Sequence, residues 1–113
     1  MINDFLIISC IGDNDKLGLR INKDFFIHRF INKKTKNEEL LSDLLSFLKS
    51  QNVNLDKNFS VIVNQGPGSF SRIRISLAIA KGLEISKKIR LFGFNNEDLK
   101  QFDQKNIEEL IKK

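Results

Sequence analysis

The alternation of apolar and polar positions in the first part of the chain predicts three β-strands joined by short turns. Residues 5–11 (FLIISCI) form an unbroken apolar run, as expected for a strand that is buried on both faces. Residues 17–21 (LGLRI) alternate with a period of two, which is typical of a half-exposed strand. A third strand is predicted over residues 25–31, after the polar turn of residues 22–24. Three consecutive strands with short turns indicate an antiparallel meander.

The rest of the chain predicts helices that alternate with strands. Leucines recur at helical spacing between residues 38 and 50, behind a capping box formed by Thr35 and Glu38. The further predicted elements are a strand over residues 59–63, a helix over 70–86, a strand over 89–94 and a polar helix over 96–113. The order β-β-β-α-β-α-β-α predicts a single α/β domain with a mixed five-stranded sheet, because strand–helix–strand crossovers make neighbouring strands parallel.

The second helix carries apolar residues around most of its circumference. Only Arg74, Lys81 and Glu84 form a continuous polar sector. A helix that packs on one side of a sheet needs a single apolar stripe, so this helix has apolar surface in excess. Either the first helix covers the excess with its own wide leucine face, or both helices present apolar surface to another protein.

A short loop of small residues precedes the second helix and consists of Gly66, Pro67, Gly68 and Ser69. The loop could present backbone amides to an anion, form a tight turn with Ser69 as the helix N-cap, or permit close approach of another backbone. It matches neither GxxxxGK[ST] nor GxGxxG, so both nucleotide-binding fingerprints are missing. The preferred N-cap chemistry of serine favours the tight turn.

Composition and charge narrow the class of protein without assigning a function. The chain has 113 residues, of which 29% are charged and 41% hydrophobic, and this composition gives no sign of general disorder. Its net charge of +5 permits attraction to RNA or another acidic surface. The basic residues are scattered rather than striped, however, and the abundance of Lys and Asn is typical of an AT-biased coding sequence.

Cysteine content and hydropathy predict a cytoplasmic location. The single cysteine, Cys10, rules out an internal disulfide and fits a reducing compartment. The first residues lack the pattern of a signal peptide, and no apolar run approaches the ~18 residues of a membrane span.

No set of residues predicts catalysis, a metal site or a bound cofactor. His28 is the only histidine and lies among phenylalanines in a predicted strand, far in sequence from Cys10. A general base needs a positioned partner and a pocket, and a metal site needs clustered ligands. Ser69 and Arg72 could hold a phosphate, although packing at an interface competes with that role. We therefore expect a non-catalytic chain without cofactor or metal.

Residues 63–83 (VNQGPGSFSRIRISLAIAKGL) resemble the signature of the TsaB (YeaZ-type) family, which reads GxGPGSFTGLRIG and continues as a helix ending in a KGL- or QGL-like stretch. The resemblance extends over residues 5 to about 100. It implies that residues 1–113 form the N-terminal domain of that family, with the actin-like ATPase (ribonuclease H-like) fold and without the family's second domain.

The sequence departs from the family pattern at two places in the motifs. Residues 9–11 read Ser-Cys-Ile where the family's first strand usually ends in an Asp-Thr-Ser-like stretch, so the acidic group that helps active ATPases of this fold to hold metal and nucleotide is missing. Ser71 and Arg72 stand where the family has Thr-Gly, which puts a long cation in the first helical turn. The chain is also about half the family's usual length.

The resemblance implies a non-catalytic scaffold or activating subunit of a TsaD-like ATPase-fold enzyme, with a TsaE-like protein as a third component. That complex modifies tRNA to N6-threonylcarbamoyladenosine at position 37, and this chain would act on tRNA only indirectly. The partner would bind the helices near residues 38–50 and 70–85. The candidate contact residues are Leu41, Leu45, Ile73, Ile75, Leu77 and Ile79.

Two other functions stay open at this point. The chain could be a small basic module that binds RNA or an anionic ligand, or a degenerate homologue that forms a homodimer through the same two helices. The binding module would use Gly66, Pro67, Gly68 and Ser69 of the loop with Arg72, Arg74 and Lys81 of the helix. Phe70 belongs to the same motif at the loop and the start of the helix.

Overall fold

Five strands and three α-helices make up the regular structure of the residues that the computed structural model describes, which are 4–12, 15–30 and 37–112. The side chains of residues 37–39 and the predicted capping box of Thr35 and Glu38 lie outside this description. The elements are β1 (Phe5–Ser9), β2 (Lys16–Ile21), β3 (Asp24–Arg29), α1 (Asn37–Ser50), β4 (Ser60–Asn64), α2 (Phe70–Lys87), β5 (Arg90–Phe94), a 3-10 turn (Asn96–Asp98) and α3 (Gln104–Ile111).

The strands form one mixed sheet in the order β3-β2-β1-β4-β5. Strands β1, β2 and β3 pair antiparallel, whereas β4 lies parallel to β1 and β5 lies parallel to β4. This confirms the predicted mixed five-stranded sheet of an α/β fold. Because β1, β4 and β5 run in the same direction, their last residues, Ser9, Asn64 and Phe94, lie at one edge of the sheet, which we call the carboxyl edge.

Helices α1 and α2 cover one face of the sheet. Side chains in a strand alternate between the two faces, and one set from the central strands packs against the helices. This larger core contains Leu6, Ile8, Val61 and Val63 of the sheet together with Leu40, Leu44, Leu48, Ile79 and Ala80 of the helices. All five residues of β1 and all five of β4 are buried, as the unbroken apolar run in β1 predicted.

Helix α3 covers the opposite face, which was not predicted. Ile107 is fully buried and packs against Phe5, Ile7, Ile62 and Phe94 of the sheet. The terminal segment is therefore part of the core and not simply a solvated helix, although Gln104 and Glu109 are exposed.

The predicted helix over residues 96–113 is wrong in its extent. The chain makes a 3-10 turn at Asn96–Asp98 and then an irregular stretch before α3 begins. Asp103 is the N-cap of α3, since its Oδ1 accepts a hydrogen bond from the backbone N–H of Asn106 at 2.8 Å. A cap at this position fixes the start of the helix, because it satisfies an otherwise unpaired N–H of the first turn.

Strand β2 is less exposed than its alternating sequence predicted. Residues 17–19 are all buried. A Cβ atom built on Gly18 would lie 3.2 Å from the ring of Phe102 and 2.7 Å from Ile7, so Phe102 packs directly over this glycine. The aromatic ring comes from a segment more than eighty residues later, and periodicity within β2 cannot reveal it.

None of the helices in the described ranges combines the length and the hydropathy that crossing a membrane would take.

Candidate functional site

The loop before α2 packs against the loop after β1. The backbone N–H of Ser69 donates to the carbonyl oxygen of Ile11 at 2.6 Å. A Cβ atom on Gly68 would lie 2.6 Å from the Cβ of Ile11, and one on Gly12 would lie 2.6 Å from the Cβ of Ser69. The small residues are therefore needed for close backbone approach within the chain itself.

Ser69 is the N-cap of α2, as the sequence predicted. Its Oγ accepts a hydrogen bond from the backbone N–H of Arg72 at 3.5 Å. Gly66 begins the loop with a φ of 104°, in the region where residues with a Cβ atom are strained. The loop is thus a turn and a cap that are held in place by Ile11.

Arg72 turns inward from the first turn of α2. Its Nη2 and Nε lie 2.8 Å and 3.0 Å from Oδ2 of Asp15, and both side chains are about nine-tenths buried. The other carboxylate oxygen of Asp15 accepts from the backbone N–H of Gly12 at 2.8 Å. The ion pair therefore ties the start of α2 to the loop after β1, and Arg72 is engaged inside the chain.

The outer sides of α1 and α2 carry large apolar side chains in contact with solvent. We call this surface the outer helical face and define it by Leu41 and Leu45 of α1 and Phe70 and Ile85 of α2. Their exposed fractions are 44%, 46%, 73% and 73%. The guanidinium of Arg74 lies 5.2 Å from the ring centroid of Phe70, at the same end of α2.

The other candidate contact residues of α2 differ in their burial. Ile79 is 9% exposed and belongs to the core beneath the helix, so it has little surface to offer a partner. Ile75 and Leu77 are partly buried and pack against the same core. Ile73 is also partly buried, and its Cδ1 lies close to Gly66.

Cys10 and His28 both occupy positions that suit a structural role. Cys10 is buried, and this burial, followed by the charge of Asp15, raises the pKa of its thiol from 9.0 to about 12. The ring of His28 lies between aromatic neighbours, with centroid distances of 5.1 Å to Phe30 and 5.4 Å to Phe47. Within the described ranges, no three His, Cys, Asp or Glu residues are grouped as metal ligands.

A cleft of about 210 Å³ opens at the carboxyl edge. Asn64, at the end of β4, lines the cleft and donates hydrogen bonds to Oγ of Ser9 at 3.2 Å and to Oδ1 of Asn96 at 3.4 Å. The amide oxygen of Asn64 accepts from the backbone N–H of Gly66 at 2.9 Å. Lys16 and Lys100 also line the cleft.

The sequence analysis did not identify this cleft. Its polar residues come directly after apolar strand runs, as in Ser9 after residues 5–8 and Asn64 after residues 59–63. Because the carboxyl ends of parallel strands meet at one edge, polar residues at these positions were the available signal.

Comparison with known proteins finds structures with a similar fold but no matching sequence family. No protein-family model matches the chain, and no curated protein matches it. Among solved structures, YeaZ from Pseudomonas aeruginosa superposes with a TM-score of 0.72 over 82% of this chain. The chain has a YeaZ-like fold. A second structure, of an uncharacterized protein with similarity to peptidase YeaZ from Pseudomonas aeruginosa, gives a TM-score of 0.71 over 82% of this chain.

Both YeaZ-like matches have 17% sequence identity to this chain, so the likeness is one of fold. The chain spans less than half of either structure, since it covers 44% of the first and 43% of the second.

Proposed function

We propose that this chain is a TsaB-like scaffold subunit that binds a TsaD-like enzyme of tRNA threonylcarbamoyladenosine synthesis through its outer helical face. Two independent features support the proposal. Residues 63–83 resemble the TsaB signature, and the fold is YeaZ-like over 82% of the chain. On this proposal the chain corresponds to the N-terminal, actin-like ATPase-type domain of that family.

The observation that carries the proposal is the exposure of large apolar side chains on both helices. Leu41 and Leu45 are one helical turn apart and each expose almost half of their surface. Phe70 exposes 73% at the start of α2. Exposed apolar residues that concentrate on neighbouring elements mark sites of protein interaction. Helices of 14 and 18 residues are roughly 21 and 27 Å long, enough for the ~800 Å² that each partner buries in a standard interface.

The proposed role requires no chemistry from this chain. The thiol of Cys10 stays protonated at neutral pH because its pKa is about 12, and only a thiolate is an effective nucleophile. His28 is packed between Phe30 and Phe47, where it contributes to the core around β3 and α1. We therefore propose that the TsaD-like partner, together with a TsaE-like protein, performs the reaction while this chain supports the arrangement of the complex and contacts tRNA only indirectly.

Co-sedimentation with the TsaD-like protein of the same organism tests the proposal. We expect the wild-type chain to form a complex and Leu45→Asp to abolish it, because a carboxylate would be buried without a partner in the interface. Phe92→Asp is the matched control, since Phe92 is 43% exposed but lies on β5, away from α1. Ile75 is a poor choice for this test because it packs on the chain's own core.

Three results would contradict or redirect the proposal. A complex that survives Leu45→Asp would show that the outer helical face is not the binding site. Loss of the complex in both Leu45→Asp and Phe92→Asp, with circular dichroism spectra unchanged, would show that the effect does not depend on the helices. Self-association of the chain that Leu45→Asp removes would assign the same face to a homodimer.

A further inference from the structure

We propose that β5 pairs antiparallel with β5 of a second copy of this chain along its outer edge, the side that faces away from β4. β5 is the last strand of the order β3-β2-β1-β4-β5, and the described part of the chain places no strand beyond it. An unpaired strand edge presents a row of backbone N–H and C=O groups that another strand can satisfy. The outer edge of β5 is separate from the outer helical face, so this inference does not depend on the proposed scaffold role.

The hydrogen bonds of β5 show which of its backbone groups point outward. The N–H of Arg90 donates at 2.9 Å to the carbonyl oxygen of the residue before β4. The carbonyl oxygen of Phe94 accepts at 2.8 Å from the N–H of Gln65, which follows β4. Successive residues of a strand direct these groups to alternate sides. Because Arg90 and Phe94 face β4, the N–H and C=O groups of Leu91 and Gly93 point to the outer edge.

The side chains of β5 offer little that would keep another strand away. Residues 90–94 read RLFGF, with no proline and with a charge only at the first position. Phe92 lies on the same side of the sheet as Phe94, since side chains alternate along a strand. Phe94 is buried in the core under α3, whereas Phe92 is 43% exposed. A strand added at the outer edge would cover Phe92.

An antiparallel pair centred on Phe92 satisfies the outward groups of both copies. In this register Leu91 of each copy lies opposite Gly93 of the other, and the two residues exchange both of their N–H···O=C bonds. Phe92 meets Phe92 of the second copy at the two-fold axis, in the kind of pair that brings side chains closest together. Such a contact uses the same surface on both copies and is closed, so it gives dimers and no larger assembly.

Charge complementarity identifies a second copy as the occupant. The exposed cations Lys87, Lys88 and Arg90 lie at the amino end of β5, whereas the exposed acids Glu97 and Asp98 follow its carboxyl end. Antiparallel pairing places the cationic end of each copy beside the acidic end of the other. Lys87 and Glu97 are equally far along the chain from the two-fold axis. A parallel pair would instead bring like charges together, which disfavours that orientation.

The size of the contact predicts a weak dimer. A standard interface buries ~800 Å² on each partner, and the edge of a five-residue strand supplies less. Contacts below the standard size are typical of transient complexes. We therefore expect monomer and dimer to exchange, with the dimer populated at millimolar protein concentration.

Amide hydrogen exchange of the isotope-labelled chain, in dilute and in millimolar solution, tests the pairing. We expect the amides of Leu91 and Gly93 to exchange several-fold more slowly in millimolar solution, because pairing withdraws them from water. The amide of Arg90 is the control within the same strand, since it is bonded on the β4 side in either state. Sedimentation equilibrium should show the dimer over the same range. A chain that stays monomeric at millimolar concentration overturns the inference.

Two variants identify the surface that forms the dimer. Phe92→Asp should abolish self-association, because two carboxylates would meet at the two-fold axis. Leu45→Asp places the same charge on the outer helical face and should leave self-association unchanged. The inference is overturned if Leu45→Asp removes the dimer and Phe92→Asp does not. Equal loss in both variants also overturns it, since association would then follow net charge.

Charge reversal tests the antiparallel register. Lys87→Glu and Glu97→Lys should each weaken self-association about five-fold, because like charges then face each other at both symmetry-related contacts. An equimolar mixture of the two variants should associate as the wild type does, since every substituted residue then meets the opposite charge. A mixture that associates no better than the separate variants would contradict the antiparallel pairing.

Discussion

At the scale of the single residue, Arg72 limits which ligands the loop before α2 can bind. The TsaB signature has glycine at this position, and a cation in the first turn of a helix is disfavoured by the helix dipole. The structure resolves this conflict by turning the guanidinium away from the helix end and onto Asp15, at 2.8 Å and 3.0 Å. The same pairing removes Arg72 from the set of cations that a surface RNA-binding site would use.

We predict that Arg72→Met lowers the free energy of unfolding by about 3 kcal/mol, because it leaves the carboxylate of Asp15 largely buried without its cation. Urea denaturation measures this difference. Arg74→Met is the matched control, since Arg74 is exposed on the same helix, and it should change stability by less than about 1 kcal/mol. Adding Asp15→Asn to Arg72→Met should recover part of the loss, because no unpaired charge remains. Equal effects of Arg72→Met and Arg74→Met would contradict the role of the pair.

Helix α3 is the element that completes the fold, because the sheet has a core on each face. Its Ile107 is fully buried, and Leu110 and Ile111 pack at the margin of the same cluster. The spacing of these three residues, i, i+3 and i+4, is that of an apolar helical face. A salt bridge between Glu108 and Arg20, with a distance of 3.1 Å, links α3 to β2 at the surface.

Replacing Ile107 tests how strongly α3 contributes to stability. We predict that Ile107→Ala lowers the free energy of unfolding by about 3 kcal/mol, because it leaves a cavity between α3 and the sheet. Ile85→Ala makes the same chemical change at a site on α2 that is 73% exposed, and it should cost about 0.5 kcal/mol or less. If urea denaturation gives the two variants the same midpoint, α3 does not pack as described.

The sequence predicts those elements whose signal is contained in their own residues. The buried strand β1 follows from an unbroken apolar run, β4 from a stretch rich in β-branched apolar residues, and the start of α2 from the cap at Ser69. The extent of α3 was missed because polar residues dominate residues 96–113 and conceal both the cap at Asp103 and the short apolar face.

The contacts at the start of α2 and in the cleft at the carboxyl edge could not be predicted from local pattern, because they join distant parts of the chain. Asp15 and Arg72 are 57 positions apart, and Asn64 and Ser9 are 55 positions apart. Which polar side chains meet depends on the strand order, and strand order depends on the packing of the whole sheet. The exposure of Leu41 and Leu45 has the same origin, since a leucine-rich helix does not itself show which leucines face its sheet.

At the scale of the whole molecule, the two cores share the same central strands. Leu6 and Ile8 of β1 belong to the core under α1 and α2, whereas Phe5 and Ile7 belong to the core under α3. Loss of either core therefore removes packing from β1, and a domain of this size is expected to unfold in one cooperative step. Cys10 follows β1 and is fully buried in the larger core, so its thiol reaches water when the chain unfolds.

This coupling predicts that the stability of the whole chain falls at high pH. Burial, followed by the charge of Asp15, raises the pKa of the native thiol from 9.0 to about 12. Below pH 9 the thiol is protonated in both states, and its full contribution to stability is present. Between pH 9 and about 12 the unfolded chain releases the proton while the native chain keeps it, so rising pH favours unfolding. Wild type should therefore lose up to ~1.4 kcal/mol per pH unit in this window relative to Cys10→Ala, which has no thiol. Urea denaturation of both proteins near pH 8 and near pH 10.5 measures this loss, and lysine titration cancels in the comparison because it is common to both. A difference in stability that is the same at the two pH values would show that the native thiol titrates normally and is open to water.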